Sequence, residues 1–165
     1  MSFELKTSEN LSKEKKYQLL LSQIKSITDG EKNFISNLAN ITSALKYSFE
    51  DFIWVGFYLK ENNELVLGPF QGRVACTRIP FGKGVCGTAA AKKETIIIDD
   101  VNNFPGHIVC DSLSKSEIVI PIVIGKEVEG VLDIDSGKLN NFDETDKNFL
   151  EQLIENISYL FQENK

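Results

Sequence analysis

The chain has 165 residues, of which 42% are hydrophobic, 25% charged and 10% aromatic; a globular domain of this size hides roughly 70% of its unfolded surface without disulfide or metal staples. Eighteen basic residues against 24 acidic ones give a formal charge of −6, which argues against binding to nucleic acid or an anionic membrane, since either needs clustered lysine and arginine. The longest apolar runs, 52–59 and 118–124, fall far short of the roughly 20 residues that span a bilayer, and residues 1–16 carry no secretion signal, so the expected location is cytoplasmic.

From Leu11 to Ile27, Tyr17, Leu20, Leu21, Ile24 and Ile27 recur at intervals of three and four, the spacing of a helix that Asp29-Gly30 would stop. Phe34, Leu38, Ile41 and Leu45 predict a second helix, with Glu31 expected in its first turn. From Phe52 the aromatic and β-branched residues predict a strand, and 61–64 a turn into a second strand. Residues Arg73 to Pro80 read as a third strand, Gly82 to Gly87 as a glycine-rich turn, Thr88 to Lys93 as a short helix and Thr95 to Ile98 as a buried strand. Residues 99–116 lack periodicity and read as a long functional loop. A hairpin of Glu117 to Ile124 and Val128 to Asp135 follows, and Phe142 to Phe161 closes the chain as an amphipathic helix with Asp143 as N-cap. The expected class is α+β, a single domain over 1–165 with about six mostly antiparallel strands and helices from both chain ends packed on them.

Four features bear on chemistry. Gly82-Lys83-Gly84-Val85-Cys86-Gly87 matches a dinucleotide-binding pattern, but that fold needs a parallel sheet of β-α units, so a turn opening a helix is the plainer reading. Three cysteines, Cys76, Cys86 and Cys110, lie in different settings, and a thiol at a helix N-terminus has a lowered pKa. They and His107 number four possible zinc ligands, yet their spacing is unlike common zinc sites. His107, three residues before Cys110, either assists that thiol or is an ordinary loop residue. Finally, Glu117 begins one strand, and Asp133 and Asp135 lie two apart on its hairpin partner, so all three converge if the strands pair. Crowded carboxyls hold a proton near neutral pH, and their ionised members attract an ammonium group.

The order WVGFY, GPFQGRVACTRIPFGKGVCGTA, DDVNNFPGHIVCDS, SEIVIPI and GVLDIDS resembles the free methionine-(R)-sulfoxide reductases, a single-domain branch of the GAF fold. The resemblance implies reduction of free methionine-(R)-sulfoxide with no bound cofactor and recycling by an external thioredoxin-like dithiol protein. It implies Cys110 as the attacking thiolate and Cys76 as the resolving partner, with Cys86 an auxiliary thiol or alternative partner. Glu117, Asp133 and Asp135 would hold the ammonium and sulfoxide ends, and Trp54 and Tyr58 would enclose the methyl group. The loop carrying Cys110 is expected to move toward Cys76, and the apolar N-terminal helices admit a homodimer. The competing reading is a non-catalytic GAF module that binds a small ligand or senses oxidants.

Overall fold

The computed structural model describes residues 5–6, 10–106 and 112–163. Two amphipathic helices open it, α1 (Lys13–Thr28) and α2 (Phe34–Ser48). Their N-caps are Ser12 and Asn33, whose side chains accept hydrogen bonds from the backbone N–H groups of Lys15 and Ser36. Glu31, expected in the first turn of α2, lies before the cap; its carboxylate accepts the Asn33 N–H at 2.7 Å.

Strands β1 (Phe52–Glu61) and β2 (Glu64–Gln71) form the expected hairpin, with Asn62 in the left-handed conformation its tight turn needs. The third strand is shorter than its alternation suggested: β3 spans only Arg78–Pro80. The preceding backbone is held instead by side chains of β1. The Trp54 indole N–H donates to the Arg73 carbonyl at 3.0 Å, and the Tyr58 hydroxyl donates to the Cys76 carbonyl at 2.9 Å.

Helix α3 (Gly84–Lys92) begins four residues earlier than expected and draws the glycine-rich turn into its first turn. Gly82 adopts φ +79°, and a Cβ on Gly87 would lie 2.3 Å from the Pro80 carbonyl oxygen, so the glycines serve a tight turn and a close backbone approach. Strand β4 (Ile96–Ile98) is half-buried because it forms a sheet edge, and a 3-10 turn (Val101–Asn103) capped by Asp100 follows. The second hairpin, β5 (Ser116–Ile124) and β6 (Glu127–Ser136), leads to α4 (Glu144–Glu163). Asp143 caps α4 as expected, accepting from the N–H groups of Thr145 and Asp146.

The six strands are ordered β3-β2-β1-β6-β5-β4, and every pair is antiparallel. This closes the dinucleotide reading, which requires parallel strands. Strand alternation separates two cores. Phe57, Ile118, Ile120, Leu132 and Ile134 meet the apolar faces of α1, α2 and α4 on one side. On the other, Trp54, Tyr58, Val119 and Val131 meet Val85, Cys86, Ala89 and Ala90 of α3. The carboxylates Glu117, Asp133 and Asp135 alternate with the first set, so they share the α3 side.

Candidate functional site

Register brings the expected site residues into rows. Glu117 of β5 lies opposite Asp135 of β6, which lies opposite Trp54 of β1; one row along, Val119, Asp133 and Gly56 correspond. The first residues of α3 cover these rows, and Cys86 Sγ lies 3.9 Å from Glu117 Oε1. Cys86, Glu117 and Asp133 are all buried, and their potential donor atoms lie within 4.8 Å of one another. Asp135 is engaged differently, accepting a short hydrogen bond from the Ser114 hydroxyl. Asp133 Oδ1 is buried with no hydrogen-bond partner.

The electrostatics follow from crowding acids out of water. Burial pushes the Glu117 carboxyl well above its ordinary range, and the charges of Asp133 and Asp135 push it further. Burial and then Asp135 do the same to Asp133. The site therefore retains a proton on at least one carboxyl at a pH where exposed carboxylates are ionised. Cys86 departs from the expectation for a helix N-terminus. Burial and the neighbouring Asp133 and Glu117 raise its pKa, so the carboxylates override the helix dipole and keep it a thiol. Burial and the same carboxylates also hold Tyr58 in its phenol form, fit to donate to the Cys76 carbonyl.

Trp54 forms an aromatic wall, stacked on Phe70 at 5.4 Å and on Tyr58 at 5.9 Å between ring centres. Two glycines make room for it. A Cβ on Gly56 would lie 2.2 Å from the tip of the indole, and one on Gly72 would lie 2.5 Å from its five-membered ring. Gly56, Gly72, Phe70 and Ser114 are site residues that sequence reasoning missed. Only Gly56 carried a signal: two positions after Trp54 in a strand, it shares the face over which the indole lies.

Seven of the eight expected site residues are described, and all seven lie on or beside this one sheet face: Trp54, Tyr58, Cys76, Cys86, Glu117, Asp133 and Asp135. Cys76 is disulfide-bonded and Cys86 is free. Cys110, His107 and the expected motion of their loop lie outside the described residues.

The GAF domain family model matches residues 36–162. GAF domain-containing protein A of Dictyostelium discoideum is 58% identical over 144 residues, covering 87% of this chain and 90% of that protein. The free methionine-R-sulfoxide reductase of Saccharomyces cerevisiae is 49% identical over 160 residues, covering 92% of this chain and 88% of the yeast protein. The chain belongs to the free methionine-R-sulfoxide reductase branch of the GAF family. The free methionine-R-sulfoxide reductase of Neisseria meningitidis, solved in complex with its substrate, superposes with a TM-score of 0.93 at 46% identity, covering 97% of this chain and 96% of that one. The curled antiparallel sheet flanked by helices is thus the GAF architecture of this reductase family.

Proposed function

We propose that the chain reduces free L-methionine-(R)-sulfoxide to L-methionine, with Cys110 as nucleophile and Cys76 as resolving thiol. The observation that carries this reading is the partnerless, buried oxygen of Asp133 beside Glu117 and Asp135. A buried carboxyl oxygen without a partner calls for a donor, and the ammonium of a free amino acid supplies one. Trp54 and Tyr58 on the same face suit the methyl-bearing end of such a substrate. A methionine sulfoxide within a polypeptide has a peptide bond in place of the ammonium and leaves the carboxylates unpaired, at about 1–3 kcal/mol per group.

In this mechanism the Cys110 thiolate attacks the sulfoxide sulfur while a carboxyl of the acidic cluster protonates the departing oxygen. The oxygen passes to Cys110, yielding methionine and a sulfenic acid. The Cys76 thiol then attacks that sulfur, forming a disulfide and releasing water. A thioredoxin-like dithiol protein restores both thiols by exchange and leaves as its own disulfide. Cys76 suits the resolving role better than Cys86: Cys76 is disulfide-bonded, whereas Cys86 is a free thiol whose deprotonation its surroundings oppose. The single domain over 1–165, the cytoplasmic setting and a homodimer complete the proposal.

Incubating the reduced protein with free L-methionine-(R,S)-sulfoxide and dithiothreitol, followed by amino-acid analysis that resolves the epimers, tests it. The R epimer should disappear and methionine accumulate. Folded protein with titratable thiols that forms no methionine would favour the ligand-binding or redox-sensing module. Cys110→Ser should abolish turnover, whereas Cys76→Ser should release about one methionine per chain when no external thiol is supplied. Sustained turnover by Cys110→Ser would remove Cys110 from the nucleophile's role.

A further inference from the structure

One thiol and two carboxylates meet at the centre of the site, one each from α3, β5 and β6. Asp133 is only 7% exposed, and its Oδ1 has no partner. The ion pairs Lys13–Asp146, Lys60–Glu127 and Arg78–Glu61 lie on other parts of the molecule, and the partnerless Asp133 oxygen is a donor position that the cluster leaves open.

An ammonium answers the carboxylates, but a sulfur atom is a poor acceptor for it. Sulfur with two carboxylate oxygens is instead a donor set for a borderline-soft divalent ion, which needs contacts of about 2.3 Å to sulfur and 2.0–2.2 Å to oxygen. Donor atoms within 4.8 Å of one another reach such distances around a central ion by small side-chain rotations. Three protein ligands leave a fourth tetrahedral position for water.

We propose that Cys86, Glu117 and Asp133 form a three-ligand site for zinc, and that the bound ion excludes an amino-acid substrate from the same carboxylates. Coordination replaces the thiol S–H bond by a zinc–sulfur bond and releases that proton, together with the proton held by the Glu117 and Asp133 carboxyls, to solvent. Zinc is here a reversible blocking ligand of a site whose catalysis needs no metal. The ion-binding inference stands on the cluster's geometry, independently of the reductase reading; its blocking effect concerns that same site.

The test uses the full chain with its disulfide formed, so that, among the described cysteines, the thiol available to metal is that of Cys86. Titration with zinc should show one ion per chain. Titration with cobalt(II), its spectroscopic stand-in, should develop a near-ultraviolet sulfur-to-metal band. Cys86→Ala should abolish the band and weaken zinc binding at least tenfold, and Asp133→Asn should weaken binding similarly. Should either variant fail to fold by circular dichroism, protection of the wild-type Cys86 from alkylation by stoichiometric zinc decides the matter. No stoichiometric ion, an undiminished band in folded Cys86→Ala, or unprotected Cys86 would overturn the site. Methionine formation is assayed separately with a chelator present. Turnover without zinc binding rejects the ion alone, while zinc binding without turnover rejects the reductase reading alone. In an active enzyme, zinc that fails to raise the apparent KM for free methionine sulfoxide rejects the blocking role.

Discussion

Ionising Glu117 places its charge across the strand pair from Asp135 and diagonal to Asp133, where burial already disfavours charge. Both Glu117 and Asp133 hold their protons more tightly in the folded chain than at their ordinary values of 4.5 and 3.8. Where the folded state binds more protons, stability falls with rising pH, beginning near the unfolded values and continuing until the raised folded ones are passed. The contribution of this cluster to the melting temperature should therefore decline as pH rises above the ordinary carboxyl values of 4.5 and 3.8, and Glu117→Gln should flatten that decline. Calorimetry showing the same slope in both proteins would remove Glu117 from this account. Tyr58 carries a second residue-scale expectation, because its hydroxyl anchors the Cys76 backbone. Tyr58→Phe should slow disulfide formation more than it slows release of the first methionine, as read by quenched alkylation. Equal slowing would leave Tyr58 as a wall of the substrate site only. The carboxylates were legible in the sequence because strand alternation puts positions 133 and 135 on one face. Ser114 was not, since its bond to Asp135 joins a loop to a strand 21 residues away.

One buried carboxylate joins the first and last helices by two hydrogen bonds, beside their apolar packing and the Lys13–Asp143 ion pair. Asp146 accepts from the Tyr17 hydroxyl at 2.8 Å, from Lys13 Nζ at 2.6 Å and from the Asp143 N–H at 2.9 Å, completing a reciprocal cap with Asp143. Asp146→Ala removes half the cap and leaves the Tyr17 hydroxyl buried without this acceptor, a loss of about 2–4 kcal/mol. Thermal unfolding should show a fall of roughly 5–15 °C; a change under 2 °C would mean that water or Asp143 replaces Asp146. The Lys13 hydrogen bond and the backbone N–H groups of α4 hold the Asp143 carboxyl down at about 2. Its stabilising contribution is accordingly complete above the ordinary value of 3.8 and is lost as pH falls through about 2. Strand β1 carries a third expectation. Gly56→Ala puts a methyl group where the Trp54 indole lies, and overpacking of this kind costs about 1–3 kcal/mol. Because Trp54 is the chain's single tryptophan, its fluorescence should shift in this variant as KM rises. An unchanged spectrum would show that the strand, not the ring, gives way. Helices and hairpins were legible as elements because apolar period distinguishes them. The supposed strand from Arg73 failed because β1 side chains, invisible to local periodicity, capture that backbone.

At the scale of the molecule, the sheet separates stability from chemistry. The face toward α1, α2 and α4 is apolar, while the opposite face sets three acids beneath α3 and its Cys86 thiol. The residues of α1 and α2 that suggested a homodimer, among them Tyr17, Leu20, Ile24, Leu38 and Ile41, are buried within the single chain. Sedimentation equilibrium reads the oligomeric state directly: twice 18.5 kDa supports the dimer, and 18.5 kDa rejects it. The sequence by itself determined the α+β class, the helices at both ends, the two hairpins and the convergence of Glu117, Asp133 and Asp135. Each follows from local period and from the short Gly125-Lys126 turn that sets the β5–β6 register. Tertiary structure alone decided that β1 lies against β6, that Trp54 rests on two glycines, and that α3 lowers Cys86 among the carboxylates. It thereby reversed the effect expected of a helix N-terminus on that thiol. Apart from Gly56, two positions from Trp54, those outcomes depend on contacts between residues 18 to 84 positions apart, where burial and Coulomb repulsion outweigh local preference.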